Sequence, residues 1–337
     1  MGDIGTLSER DALALRTLPE MTLSYPSNPL TAAPPSLYPT LSAADRALAR
    51  FAVKGNAIIT GGAGVLALAS ARALLEHGAR GVALLDLETT LAKSQPAIQL
   101  LRSDFPAAHI VDLPCDVTSE KVDLIIRDAV VALNTPKGDV ESSSSECPNP
   151  RISMLLCFAG IVGCVPTISM SSSQWRKIMD VNLNGAFFCA QSAAKYMMPP
   201  PDQNYYNNDD GSLNPELPGG RIIFISSMSG HIVNFPQPQA AYNTSKAALL
   251  HLKNSLATEW AQYGIRVNSI SPGYMDTVLN AGDNLKAVRD LWASRCPMGR
   301  MGDVEELTGV VVLLCSERAG GYITGADVLV DGGTTCF

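Results

Sequence analysis

The sequence contains 337 residues, of which 46% are hydrophobic, enough to bury the core of one large α/β domain or two small ones. Its 25 Lys and Arg residues against 32 Asp and Glu give a net charge of −7 without a strong basic run, so we expect no nucleic-acid partner. We find neither a secretory signal nor an apolar run long enough to span a bilayer, so we expect no membrane partner and a cytoplasmic protein with reduced cysteines. The cysteines and histidines do not show metal-ligand spacing, so no metal site is predicted.

The first 50 residues differ in composition from the rest of the chain. Their prolines, which disfavour long helices and central strands, are Pro19, Pro26, Pro29, Pro34, Pro35 and Pro39. Residues 1–50 are therefore predicted to be an N-terminal extension, either a partly ordered arm against a domain or a flexible tail. Residues 51–337 are predicted to form a single domain, against which such an arm would lie.

From residue 57 onward, short apolar runs alternate with helical stretches. The predicted strands are 57–60, 82–85, 110–113, 152–158, 221–225, 265–270 and 327–330, and the predicted helices between them include 65–77, 175–198 and 241–263. Strands that are apolar throughout and separated by helices favour a parallel sheet covered on both faces. We therefore predict one doubly wound α/β domain with a seven-stranded parallel sheet, interrupted by polar surface loops near 134–150 and 199–220.

A glycine-rich turn links the first predicted strand to the first predicted helix. It contains Gly61, Gly62 and Gly64, and bare backbone N–H groups at a helix N-terminus bind a dinucleotide pyrophosphate. Asp86 ends the second predicted strand, where a carboxylate accepts hydrogen bonds from both ribose hydroxyls and repels a 2′-phosphate. This pattern favours NAD(H), with NADP(H) as the second choice. The alternative is that Asp86 only caps its own loop.

The strongest chemical signal is Tyr242 followed four residues later by Lys246, on one face of a predicted helix. An ammonium beside a phenol stabilises the phenolate, so we expect Lys246 to lower the pKa of Tyr242 toward a value useful for acid–base catalysis. A Tyr-x-x-x-Lys pair by itself is commonly an exposed helix face. Here a serine-rich turn, 226–230, lies between the fifth predicted strand and this helix, and a serine hydroxyl there can polarise a substrate oxygen.

In the order and identity of these motifs the chain resembles the short-chain dehydrogenase/reductase family, over roughly residues 51–333. The segment 226–237 is most similar to its sugar and polyol dehydrogenase branch. The resemblance implies a Rossmann-type fold, a dimer or tetramer, and an NAD(P)-dependent oxidoreductase. Its small-molecule substrates would be a secondary alcohol and a ketone, interconverted by hydride transfer with Tyr242 as the catalytic acid/base.

The resemblance also assigns roles to other residues. It implies that Ser227 orients the substrate oxygen, that Lys246 lowers the pKa of Tyr242 and holds the nicotinamide ribose, and that Asn182 holds a helix kink and a proton-relay water. The implied cofactor-binding residues are Gly61, Gly62 and Gly64 at the pyrophosphate, Asp86 at the ribose, Asp116 at the adenine, Ala159 and Gly160 in the turn after the fourth strand, Pro272, Gly273 and Thr277 at the nicotinamide, and Tyr242 and Lys246 themselves.

Two serines compete for the orienting role. Counting back from Gly230 selects Ser227, whereas counting back from Tyr242 by the commonest family spacing selects Ser229. We prefer Ser227, because the shape of the turn should be tied to the adjacent glycine.

The chain departs from the family pattern at the cofactor turns. Val65 and Ala67 replace glycines of the first turn, and Cys157 and Phe158 replace paired asparagines before Ala159. A β-branched side chain at Val65 restricts φ where the backbone should approach phosphate. Val65 and Phe158 therefore predict weaker cofactor binding, and they raise a second hypothesis, a non-redox enzyme of the same fold such as a cyclase, isomerase or dehydratase.

Overall fold

The computed structural model describes residues 19–38, 40–135, 150–199, 219–277 and 286–337. Its strands are β1 (Asn56–Thr60), β2 (Gly81–Asp86), β3 (His109–Pro114), β4 (Met154–Cys157), β5 (Gly220–Ile225), β6 (Ile265–Pro272) and β7 (Asp327–Val330). They form one parallel sheet in the order β3-β2-β1-β4-β5-β6-β7, which confirms the predicted architecture. Most of the two predicted polar loops, 134–150 and 199–220, lies outside the described residues.

Helices cover both faces of this sheet. They are α1 (Ala43–Phe51), α2 (Val65–Glu76), α3 (Glu88–Asp104), α4 (Val122–Asn134), α5 (Ser172–Met179), α6 (Gly185–Met197), α7 (Ala240–Trp260), α8 (Lys286–Arg295) and α9 (Thr308–Cys315). Two clusters of buried apolar side chains flank the sheet: Ile59 belongs to the cluster under α2, α3 and α9, and Ile58 to the cluster under α4, α6 and α7. Because successive side chains of a strand point to opposite faces, the strands are apolar throughout.

The order of the strands reverses next to β1. The chain runs outward from β1 to β2 and β3 and then returns to β4 on the other side of β1. The loops that leave the carboxyl ends of β1 and β4 diverge at such a point and create a crevice where ligands bind. The loops after β5 and β6 meet the same edge of the sheet.

The described part of the N-terminal extension contacts the opposite end of the strands. The Asn28 side chain, 5% exposed, donates from Nδ2 to the carbonyl oxygen of Gln262 at 2.8 Å, just before β6. Arg318 donates to the carbonyl oxygen of Pro35 at 2.6 Å, and the backbone of Ala319 donates to that of Arg50 at 3.0 Å. The extension is therefore attached far from the crevice. Among the described helices, none combines the length and hydropathy that crossing a membrane requires.

Candidate active site

The loop after β1 forms a backbone cradle at the N-terminus of α2. Gly61 has a φ of +64°, and a Cβ atom there would lie 2.6 Å from the backbone nitrogen of Ala159. A Cβ atom on Gly62 would lie 2.7 Å from the carbonyl oxygen of Ile59. Gly64 is the N-cap of α2 and brings no side chain to the N–H groups of the first turn. These groups can therefore receive an anionic group.

Two carboxylates lie at the ends of neighbouring strands. Asp86, at the end of β2, accepts hydrogen bonds from the backbone of Ala63 at 3.1 Å and of Leu87 at 2.8 Å. It thus braces the glycine turn while remaining half-buried at the crevice. Asp116, after β3, accepts from the backbone and the hydroxyl of Thr118 at 2.9 and 2.7 Å, so its carboxylate shapes its own turn.

The departures from the family pattern lie in different environments. Ala67 is 1% exposed and packs in the core, where its methyl group fits between α2 and the sheet. Phe158 is partly buried against the same core, and its backbone nitrogen donates to the carbonyl oxygen of Thr60 at 3.0 Å. Val65 begins α2 and is 38% exposed, so it is the departure that stays accessible at the cradle.

Lys246 reaches the carboxyl ends of β4 and β5 from α7. Its side chain is buried, and Nζ donates to the carbonyl oxygen of Ile225 at 2.7 Å. A Cβ atom on Gly160 would lie 3.5 Å from this Nζ and 3.4 Å from Oδ1 of Asn182. Three residues that are far apart in the sequence, Gly160, Asn182 and Lys246, therefore lie close together in the fold.

Ser227 acts on Tyr242 and lowers its pKa. The Ser227 hydroxyl also donates to Oγ of Ser229 at 3.0 Å and accepts from the backbone nitrogen of Ser229 at 3.1 Å. Of the two candidate serines, Ser227 thus contacts the tyrosine, and Ser229 holds Ser227 in place. The Nζ atom of Lys246 lies 5.6 Å from the centroid of the Tyr242 ring.

The pKa of Tyr242 moves in the direction opposite to the prediction. Burial raises it above the ordinary phenol value, Ser227 opposes this, and Tyr274 raises it further. Lys246 does not supply the expected lowering: its amine is directed at the carbonyl oxygen of Ile225, and burial lowers its own pKa to about 8. The predicted pair is present, but burial outweighs its electrostatics.

Asn182 lies in a one-turn π-helical segment, Asp180–Asn184, between α5 and α6. The residue is 1% exposed; Oδ1 accepts from the backbone nitrogen of Ile161 at 2.8 Å, and Nδ2 donates to the carbonyl oxygen of Ile161 and to Oγ of Ser245, both at 3.0 Å. The helix distortion therefore turns this amide inward, where it fixes the loop after β4 to α7.

The segment after β6 lies at the same edge of the sheet. Pro272 ends β6, and the backbone nitrogen of Gly273 donates to the carbonyl oxygen of Val330 at 2.9 Å. A Cβ atom on Gly273 would lie 2.8 Å from Cα of Asp331, which explains the glycine. Thr277 is the last described residue before the gap at 278–285.

His231 directly follows the serine turn. The structure directs its ring toward β6 and β7. Its Nε2 lies 2.9 Å from Oδ2 of Asp327 and 3.2 Å from Oγ of Ser271.

Sequence reasoning missed a group of polar and aromatic side chains beside Tyr242. We call Asn234, Gln237, Tyr274 and Trp292 the amide–aromatic cluster. The Asn234 amide donates to the Tyr274 hydroxyl at 3.2 Å, and Oε1 of Gln237 accepts from that hydroxyl and from Nε1 of Trp292, each at 3.4 Å. Tyr274 directly follows Pro272-Gly273, which is a usable signal, but no spacing in the sequence joins it to Trp292.

The chain was next compared with known proteins. Residues 62–335 match the family model described as enoyl-(acyl carrier protein) reductase. D-arabinitol 2-dehydrogenase (ribulose-forming) of Scheffersomyces stipitis is 37% identical over 83% of this chain and 94% of its own length. Galactitol 2-dehydrogenase of Rhizobium johnstonii is 34% identical over 86% of this chain and 98% of its own. Among solved structures, the NADPH-dependent 3-quinuclidinone reductase of Rhodotorula rubra aligns with a TM-score of 0.69 and 31% identity, over 90% and 99% of the two chains.

Proposed function

The chain belongs to the short-chain dehydrogenase/reductase family and interconverts secondary alcohols and ketones with NAD(P), and from this premise we propose that its substrates are a polyol and the corresponding ketose. Two similar enzymes carry the names of polyol dehydrogenases. The observation that carries the proposal is the amide–aromatic cluster, because the buried Asn234 amide, the part-buried Gln237 amide and the Tyr274 phenol suit a substrate with several hydroxyl groups.

In this proposal Tyr242 moves the proton and Ser227 orients the oxygen. In the reducing direction the Tyr242 hydroxyl gives its proton to the ketone oxygen, while the Ser227 hydroxyl donates a hydrogen bond to the same oxygen. Ser227 acts directly on the Tyr242 phenol, which supports a site where the two hydroxyls share one substrate atom. When bound, NAD(P) supplies the hydride donor or acceptor.

Lys246 and Asn182 have different roles from Tyr242 and Ser227 in this proposal. The Lys246 amine, buried next to Gly160, is positioned to hold ribose hydroxyls of the cofactor. Asn182 fixes the loop after β4 to Ser245, one residue before Lys246 on α7, and so sets where the amine sits. Asn182 is thus a positioning residue in this proposal.

The residues of the crevice fit a dinucleotide. Gly61 and Gly62 allow the turn to pack closely on its neighbours, because a Cβ atom at either position would strike backbone, and Gly64 leaves the N-terminus of α2 free of a side chain. This cradle suits a pyrophosphate. Gly160 leaves open the space in front of Lys246 that a side chain would fill. Pro272, Gly273 and Thr277 would flank the nicotinamide, as the family resemblance implies.

We propose NAD(H) as the preferred cofactor, although two similar mannitol dehydrogenases are named as NADP-dependent, one of them as probable, and one structurally similar reductase as NADPH-dependent. Asp86 ends β2, and Leu87 and Glu88 follow it, so the ribose end of the crevice offers negative charge and no cation from these residues. Fluorescence titration should give a lower Kd for NADH than for NADPH, and Asp86→Asn should narrow the difference. Tighter binding of NADPH by the unaltered chain would contradict the assignment.

A homo-oligomer and a cytoplasmic location are further parts of the proposal. Leu124 and Val131, two turns apart on one face of α4, are exposed, as are Phe188 on α6 and Leu329 on the edge strand β7. These surfaces suit a dimer or tetramer. Light scattering coupled to size-exclusion chromatography measures the mass, and microscopy of the tagged chain checks the location.

The substrate proposal is tested by a panel of alcohols assayed through NADH absorbance. We expect D-arabinitol, galactitol or D-mannitol to give a kcat/KM at least tenfold above that of 2-butanol, since each additional satisfied hydroxyl contributes about 1 kcal/mol or more. A higher kcat/KM for 2-butanol than for every polyol would refute the polyol assignment and leave the family assignment intact.

A further inference from the structure

The amide–aromatic cluster joins three separate segments of the chain next to Tyr242. Asn234 and Gln237 come from the loop after the serine turn, Tyr274 from the end of β6, and Trp292 from α8. The Tyr274 and Trp292 rings stack at 4.2 Å between centroids with 9° between their planes. The loop after β5 and the end of β6 lie at the same carboxyl edge of the sheet as the serine turn, and Tyr274 acts electrostatically on Tyr242.

Two amide groups of the cluster have unused hydrogen-bonding capacity. Asn234 is 7% exposed, and its Oδ1 atom is buried without a hydrogen-bond partner among the described residues. Gln237 uses Oε1 twice as an acceptor, while its Nε2 donates to none of the described residues. A buried amide oxygen without a partner is costly, and such groups in native proteins call for an explanation.

We propose, on the basis of the polyol function above, that Asn234 and Gln237 form a second hydroxyl-binding subsite for the carbons next to the reacting carbon. Oδ1 of Asn234 accepts a hydrogen bond from a substrate hydroxyl, and Nε2 of Gln237 donates one to another. A polyol carries hydroxyl groups on neighbouring carbons, so it can satisfy both amides at once. A simple secondary alcohol satisfies neither.

Tyr274 and Trp292 hold the two amides in position. The Tyr274 hydroxyl accepts from the Asn234 amide and donates to Oε1 of Gln237, which fixes the orientation of both side chains. The indole N–H of Trp292 donates to the same Oε1. Since Trp292 is carried by α8, the subsite is complete only when this helix packs against the loop of Asn234 and Gln237.

The test measures selectivity as the ratio of kcat/KM for the best polyol of the panel to kcat/KM for 2-butanol. Asn234→Leu preserves size and removes the acceptor, and we expect it to lower this ratio about tenfold or more, because a substrate hydroxyl loses its partner. Val233→Ala, at an exposed neighbouring position, is the matched control and should leave the ratio within about twofold. Titration with NADH checks that each variant folds and binds cofactor.

The outcomes separate the two proposals. An unaltered chain that prefers 2-butanol to every polyol refutes the polyol function itself. If the unaltered chain prefers the polyol and Asn234→Leu leaves the ratio of kcat/KM values unchanged, the subsite is refuted and the polyol function is not. An equal fall in kcat/KM for the polyol and for 2-butanol also counts against the subsite, because a subsite for additional hydroxyls cannot act on an alcohol that lacks them.

A second variant tests the role of Trp292. Trp292→Phe keeps an aromatic ring to stack on Tyr274 but removes the N–H that holds Gln237. We expect a higher KM for the polyol with kcat nearly retained, since the substrate is held less well while Tyr242 and Ser227 are intact. A fall in kcat at constant KM would overturn this positioning role.

Discussion

Replacing Asn182 with Ala tests how far the geometry of the site depends on one buried amide. The substitution removes an acceptor for the backbone nitrogen of Ile161 and donors to the carbonyl oxygen of Ile161 and to Oγ of Ser245, at 2.8, 3.0 and 3.0 Å. Ser245 keeps its own hydrogen bond to the carbonyl oxygen of Tyr242 at 2.7 Å, so it loses only its role as acceptor. Water can reach the half-buried Ile161, which limits the cost there.

With about 0.5–1.5 kcal/mol for each lost hydrogen bond, and more for a group left unpaired, we expect Asn182→Ala to lower the free energy of unfolding by roughly 2–4 kcal/mol. Urea denaturation measures this value. Asn184→Ala is the matched control, because Asn184 lies in the same π-helical segment but is exposed and bonds only to Asp180 Oδ1 at 2.9 Å. Equal effects of the two substitutions would refute the argument.

Three further predictions concern the predicted active-site residues. Tyr242→Phe should reduce kcat/KM by about 10²–10⁴ while NADH titration shows retained binding, because only the proton donor is lost; undiminished turnover would contradict this role. Val65→Gly should lower the Kd for NADH by about fivefold, since the cradle loses its accessible branched side chain, and a higher Kd would argue against that reading. Burial lowers the pKa of Lys246 from 10.5 to about 8, so between these values the unfolded chain binds a proton that the folded chain lacks. The free energy of unfolding, relative to that of Lys246→Met, should therefore rise from pH 7 to pH 9.5 in urea denaturation, and a constant difference would refute the shift.

The sheet could be predicted from the sequence because each strand has a recognisable pattern of apolar residues. A segment such as Ile58 and Ile59, apolar on both faces and followed by a glycine turn, has few alternatives to a central parallel strand. The motif around Tyr242 and Lys246 likewise depends on local helix spacing, and α7 preserves it. Such features are encoded by neighbouring residues, so one sequence suffices to find them.

The polyol dehydrogenases among the relatives also favour redox chemistry over the non-redox alternative that Val65 and Phe158 had raised.

The amide–aromatic cluster could not be found in this way. Trp292 reaches Gln237 from a helix 55 residues further along the chain, and their contact exists only because α8 folds back over the loop after β5. Asn234 resembles an ordinary polar loop residue in the sequence, and only its burial shows that its amide oxygen lacks a partner. Burial and long-range contact are properties of the tertiary structure.

The pKa of Tyr242 is a second property that could not be predicted from the sequence. The sequence gives the distance between two charges along a helix, but it does not give the loss of hydration that each group suffers. In the fold, burial raises the pKa of the phenol and lowers that of the Lys246 amine to about 8, so burial shifts both groups toward their neutral forms. A neutral phenol already carries the proton that a ketone oxygen needs, whereas oxidation of an alcohol requires the same phenol to give that proton up first. Burial is therefore the property that decides the direction of the pKa shift at Tyr242, and it is set by the tertiary structure.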